Sequence, residues 1–116
     1  MAVPILKQGD YLIATIQAAL TDADLVLLRD GLIEKVVSLR TRGVIIDLTA
    51  LDVLDSFASR TLRDLAQMIR LRGAQTVIVG IQPDVAFAMV QLGLTLEDIP
   101  TALDLEEGLS FLSQRH

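Results

Sequence analysis

The sequence predicts a single α/β domain, and three observations carry that expectation. Val44-Ile45-Ile46-Asp47-Leu48 and Thr76-Val77-Ile78-Val79-Gly80 are near-continuous apolar runs of strand length, the pattern of strands covered on both faces in a parallel sheet. Between them, from about 56 to 72, lies a stretch of helical period, so strand, crossover helix and strand make one βαβ unit. A chain of 116 residues is the usual size of one compact domain and leaves little room for a second core, so residues 1–116 are read as one unit.

Taken in order, Val3-Pro4-Ile5-Leu6-Lys7 and Tyr11-Leu12-Ile13-Ala14-Thr15-Ile16 read as two short strands broken by Gln8-Gly9-Asp10, a turn of hairpin length. Thr21-Asp22-Ala23-Asp24 has the make-up of a helix start, with Thr21 as N-cap and carboxylates in the first turn, where they favour the macrodipole. Leu25, Leu28, Leu32, Val36 and Leu39 follow at helical spacing and predict an amphipathic helix that ends near Gly43. In the crossover helix Ala58, Leu62, Leu65, Ala66 and Ile69 form the inner stripe, while Arg60, Arg63, Gln67 and Arg70 share the outer one. Pro83 suits the first turn of a third helix, with Val85, Ala88, Met89 and Leu92 on one face and Gly93 as C-cap. Ala86, Phe87 and Val90 fall on its other faces. A helix apolar nearly all round is either sandwiched in the core or used at an interface, and Phe87 and Val90 are the interface candidates. Ile99-Pro100-Thr101-Ala102 suits a short edge strand, and Asp104 with Glu107 is a capping box for a last helix through Leu109 and Leu112.

Composition narrows the function. Apolar residues make up 52% of the chain and aromatics 3%, so the core is built from Leu, Ile, Val and Ala. A net charge of -5 with ten basic residues argues against nucleic acid, which demands clustered Lys and Arg or exposed aromatic platforms. No cysteine is present, which removes thiolate chemistry and Cys-based metal sites and makes the cytoplasm the default compartment. The N-terminus lacks the features of a signal peptide, and no run approaches the length of a membrane span, so a soluble protein is expected. Yet the mean hydropathy is positive, which implies more apolar side chains than a small core needs and places some of them against another protein.

Enzyme constellations are mostly missing. His116, the one histidine, sits at the terminus, where a general base or metal ligand lacks anchoring. No phosphate-binding glycine loop, dinucleotide fingerprint or nucleophile elbow occurs, and the pairs Asp22/Asp24 and Glu106/Glu107 fall at helix starts, where charge serves capping. No cofactor or metal is expected. One segment stands apart: Thr49-Ala50-Leu51-Asp52-Val53-Leu54-Asp55-Ser56-Phe57 leaves a strand's C-terminal end and enters the second helix at Asp55-Ser56. A hydroxyl beside a carboxylate sits there over a helix N-terminus that favours an added anion. Phosphate on Ser56 is thus a charge switch; read from residue types alone, Asp55 or Ser56 serves equally as a plain N-cap.

These residues resemble a STAS domain, and among such domains the RsbS-type scaffolds of bacterial stressosomes. The likeness rests on Val44 to Thr49, on Leu54-Asp55-Ser56-Phe57, on Gly80-Ile81-Gln82-Pro83 with Val85-Ala86, on Leu92-Gly93 and on Thr101 to Glu106, in the family's order from about Pro4 to Leu112. It implies the STAS fold: one mixed β-sheet of four to five strands flanked by about four helices. It also implies that Ser56 is the phosphate acceptor, with Ser59 ranked below it, and that Asp52, Asp55, Phe57 and Arg60 form the partner-binding switch loop. Phe57 stands where free anti-anti-sigma factors often carry a small residue, which favours the scaffold branch. The implied partners are an RsbT-type serine/threonine kinase, an RsbR-type STAS co-scaffold, further copies in a large assembly, and a phosphatase. A free anti-anti-sigma factor and a nucleotide-binding α/β domain are the alternative readings.

Overall fold

Apolar residues from both halves of the chain pair into one sheet, which the computed structural model describes, with its helices, over residues 3–17, 20–92 and 99–114. Strands β1 (Ile5–Gln8) and β2 (Tyr11–Thr15) form the expected hairpin, antiparallel, with Ile5 opposite Ala14 and Gln8 opposite Tyr11. Strands β3 (Gly43–Asp47), β4 (Gln75–Val79) and β5 (Thr101–Ala102) add in parallel, giving the order β1-β2-β3-β4-β5 among the described residues. Val44, Ile45, Ile46, Val77, Ile78 and Val79 are all fully buried, which is why β3 and β4 read as unbroken apolar runs.

Helices α1 (Asp22–Leu39), α2 (Ser56–Leu71), α3 (Pro83–Gln91) and α4 (Leu105–Ser113) cover both faces. Leu28, Leu32 and Val36 of α1, Leu62, Leu65 and Ile69 of α2, and Val85 and Met89 of α3 share one core with Leu12, Val44, Ile46 and Ile78. On the opposite face Leu112 of α4 packs with Ile13, Ile45, Val77 and Val79. Gly108 lets α4 ride close to the sheet, because a Cβ there would stand 2.8 Å from the Val79 Cγ1 methyl. This is the mixed sheet of five strands flanked by four helices that the resemblance implies.

Caps follow the sequence closely. Thr21 Oγ1 accepts the Asp24 N–H at 3.1 Å and Asp24 Oδ2 accepts the Thr21 N–H at 3.2 Å, a reciprocal capping box on α1. On α4 Asp104 is the expected N-cap, its Oδ1 accepting the Glu107 N–H at 2.9 Å, but the return bond from the Glu107 side chain that would complete the expected capping box is not made among the described residues. Three further expectations need correction. Leu39, placed by its spacing on the inner stripe of α1, is 43% exposed at the helix end. Helix α1 stops at Leu39, not near Gly43: Arg40 takes the left-handed conformation at φ 51° and its N–H donates to the Val36 and Val37 carbonyls. Gly43 is instead the first residue of β3, where a Cβ would meet the Leu112 methyls at 2.9 Å. Leu92, expected on the inner face of α3, is 45% exposed just past that helix. Gly93, expected as the C-cap, and His116 lie outside the described residues.

Candidate functional site

Strand β3 delivers the chain to the C-terminal end of the sheet at Asp47, and the Asp47 carboxylate ties down the exit. Its Oδ1 accepts the Thr49 N–H at 2.9 Å and the Thr49 O–H at 2.6 Å. The Leu51 N–H donates to the Leu48 carbonyl at 2.9 Å, and the Leu51 and Leu54 side chains are buried beneath the loop. Those two leucines anchor the segment, which leaves Asp52, Val53 and Asp55 facing out. A small apolar crevice of about 60 Å³ lies under it between Leu25, Leu51, Val53, Leu54 and Leu62, with Asp55 on its lining.

A second loop braces the first. Gln82, which precedes α3, donates from Nε2 to the Thr49 carbonyl at 2.6 Å. The approach requires glycine at position 80, where φ is +73° and an added Cβ would collide with Thr49 Oγ1. Sequence reading found neither contact: the partners are 33 residues apart and no periodic signal links them.

Helix α2 starts as its first residues dictate. Asp55, in extended backbone, is the N-cap, and its Oδ1 accepts the Ala58 N–H at 2.7 Å. Ser56 is the first helical residue; it is exposed, and its hydroxyl makes no hydrogen bond among the described residues. The N–H groups of Ser56 and Phe57 belong to the helix start and have no intrahelical carbonyl to reach, so the field above them favours negative charge. Asp55 therefore does the capping, and the Ser56 hydroxyl takes no part in it among the described residues.

The remaining named residues sort by exposure. Ser59 is 4% exposed and its O–H donates to the Asp55 carbonyl at 2.9 Å, so this hydroxyl is enclosed and engaged. Phe57 is half-buried; Arg60 is exposed one turn beyond Ser56 on the same side of α2. Phe87 and Val90 are 65% and 77% exposed on α3, which places both outside the core. Leu103, after β5, is exposed as well. Among the described residues no group of three His, Cys, Asp or Glu side chains is placed to hold a metal ion, and no helix is long and apolar enough to cross a membrane.

Comparison with known proteins converges on one family. The model of the STAS domain matches residues 2–108. A structure of Moorella thermoacetica RsbS bearing a serine-to-glutamate substitution is similar to this chain at a TM-score of 0.86 and 34% identity, over 97% of this chain and 95% of that one. A chain from the stressosome, described as a signal integration and transduction hub, aligns at a TM-score of 0.81 and 32% identity, over 96% of each. The RsbT co-antagonist protein RsbRA of Bacillus subtilis is 31% identical over 80 residues; the match takes in 69% of this chain but spans only 29% of the length of that relative.

Proposed function

The chain belongs to the STAS domain family, and from that premise we propose that it is a non-enzymatic scaffold of a stressosome-type assembly. In this role it sequesters an RsbT-type serine/threonine kinase and releases it when Ser56 is phosphorylated, regulating a stress, sigma-factor or second-messenger pathway in the cytoplasm. The observation that carries the proposal is the state of Ser56: an exposed hydroxyl with no hydrogen bond among the described residues, on the first residue of a helix whose capping is already done by Asp55. Likeness to RsbS over nearly the whole chain supports the scaffold branch. That RsbRA is by name a co-antagonist of RsbT supports the choice of kinase and of an RsbR-type co-scaffold.

The chemistry asks little of this chain. Ser56 Oγ bonds to the γ-phosphorus of ATP held by the kinase, the bond to the ADP oxygen breaks, and the hydroxyl proton passes to a base of the kinase. The domain supplies the acceptor and the surface around it, made by Asp52, Asp55, Phe57 and Arg60. The product carries about two added negative charges beside Asp55, and the partner meets a changed field. A phosphatase that hydrolyses the ester restores the binding form. Phe87 and Val90, apolar and exposed on α3, supply the contact with RsbR-type subunits and further copies of this chain.

The test uses the full chain, an RsbT-type kinase and ATP. Mass spectrometry locates one phosphate on Ser56, and the modified chain loses the kinase in a pull-down while Ser56→Ala keeps it. Phosphate found elsewhere, or equal retention of the kinase by both forms, removes the switch.

A further inference from the structure

Building on the Ser56 reading, we propose that Arg60 is the counter-charge of the Ser56 phosphate, so that modification draws away from the partner a cation one helical turn beyond the switch. Ser56 and Arg60 are four residues apart on α2 and both exposed, a spacing that stacks side chains about 5–6 Å apart at Cβ. The order is the favourable one, anion toward the helix N-terminus and cation one turn later, so pair and macrodipole act in the same sense. A guanidinium offers a phosphate two parallel N–H donors, and charge-assisted bonds of that kind are the strong ones.

Arg60 is also uncommitted. Among the described residues Arg29, Arg42 and Arg63 stand within 4.0 Å of carboxylates of Asp30, Asp10 and Asp64, and Arg60 has no such neighbour. Asp64, one turn beyond Arg60, is the carboxylate beside Arg63. Asp55 directs Oδ1 at the Ala58 N–H. The other helical neighbour of Ser56 one turn on, Ser59, is buried and bonded to backbone. The remaining charges of the loop and helix start, Asp52 and Asp55, are negative. A phosphate on Ser56 thus finds Arg60 as the cation within one helical turn, and two carboxylates pushing it that way.

The consequence is a double change of field. In the unmodified chain Arg60 is offered to the partner; in the modified chain it is neutralised by the ester while new negative charge appears beside it. Phosphorylation then subtracts an attraction as well as adding a repulsion.

The experiment installs phosphoserine at position 56 of the full chain by an expanded genetic code and follows the ³¹P shift with pH. Arg60 favours the dianion, so the second phosphate pKa in the parent lies roughly 0.3 to 1 unit below that in Arg60→Gln, and the gap narrows with added salt. A matched melting temperature for the two chains shows that the gap is not a loss of fold. Equal pKa values overturn the counter-charge. With the kinase as binding probe, Arg60→Gln weakens the Ser56 form several-fold and leaves the phosphoserine form unchanged; equal weakening of both overturns the withdrawal. Because the phosphate is installed without a kinase, failure of the native chain to be phosphorylated sinks the switch reading and leaves this titration to decide its own question.

Discussion

The division of labour between Asp55 and Ser56 is open to a direct stability test. Replacing Asp55 with Ala removes the carboxylate that accepts the Ala58 N–H at 2.7 Å. An N-cap lost to Ala costs about 0.5–2 kcal/mol, and this short bond to an ionised acceptor at the positive end of α2 places the expectation at about 1–1.5 kcal/mol. At about 2.1 cal/mol/K per residue, a chain of 116 residues has an unfolding entropy near 0.24 kcal/mol/K, so the melting temperature falls by about 4–6 °C. Replacing Ser56 removes an exposed hydroxyl that bonds to none of the described residues, and Ala is the better helix former, so Ser56→Ala melts at the parent temperature or up to about 2 °C above it. Thermal and urea unfolding followed by circular dichroism measure both. If Ser56→Ala loses as much as Asp55→Ala, the hydroxyl is part of the cap. The premise that a phosphate there breaks no native bond is then refuted.

Gly80→Ala forces a side chain into the left-handed region and onto Thr49 Oγ1, and should lower stability by about 1–3 kcal/mol in urea unfolding; an unchanged midpoint means the two loops part easily. Gln82→Ala deletes the brace on the Thr49 carbonyl, for a loss of about 0.5–1.5 kcal/mol and faster amide exchange at the Thr49 and Leu51 N–H groups; parental exchange at both places the rigidity in Leu51 and Leu54 instead. Phe87→Ser and Val90→Ser, at exposed positions, should stay within about 0.5 kcal/mol of the parent. The same two variants should shift a mixture with an RsbR-type partner to smaller species in size-exclusion chromatography. An assembly of parental size removes α3 from the interface.

Legibility of the fold tracked the range of the forces that make it. Strands β3 and β4 were readable because burial on both faces leaves an unbroken apolar run, and α2 because its inner and outer stripes keep a helical period. Thr21 and Asp104 were readable because a cap bonds to a residue three positions away, inside any local window. The end of α1 was not. Gly43 looked like a terminator, yet it opens β3 where the Leu112 methyls of α4 pack closely over it, and an arginine makes the left-handed turn in its place. Gly108 gave no local signal for the same reason, since its small size matters only once α4 lies against Val79. At the candidate site, residue types pointed to the segment but left Asp55 and Ser56 interchangeable as caps. Backbone conformation separates them, because the residue in extended geometry reaches the Ala58 N–H and the next one, already helical, makes no cap bond among the described residues.

That separation bears on what kind of partner a phosphate at this corner can release. The contacts that shape the loop are made by Asp47, Thr49, Gln82 and the buried Leu51 and Leu54, and none of them passes through the Ser56 hydroxyl. On the proposed reading, the switch energy is therefore the difference in partner binding between two surfaces of one fold. At 6 Å each charge pair contributes about 0.7 kcal/mol in water and about 2.8 at an effective dielectric constant of 20. Two added charges facing one carboxylate thus weaken binding by about 1.4–5.5 kcal/mol, roughly tenfold to ten-thousandfold. A cationic contact would be strengthened by the same arithmetic. Release on phosphorylation consequently demands that the partner meet Ser56 and Arg60 with carboxylates or apolar groups, and that any basic residues it uses stand away from this corner.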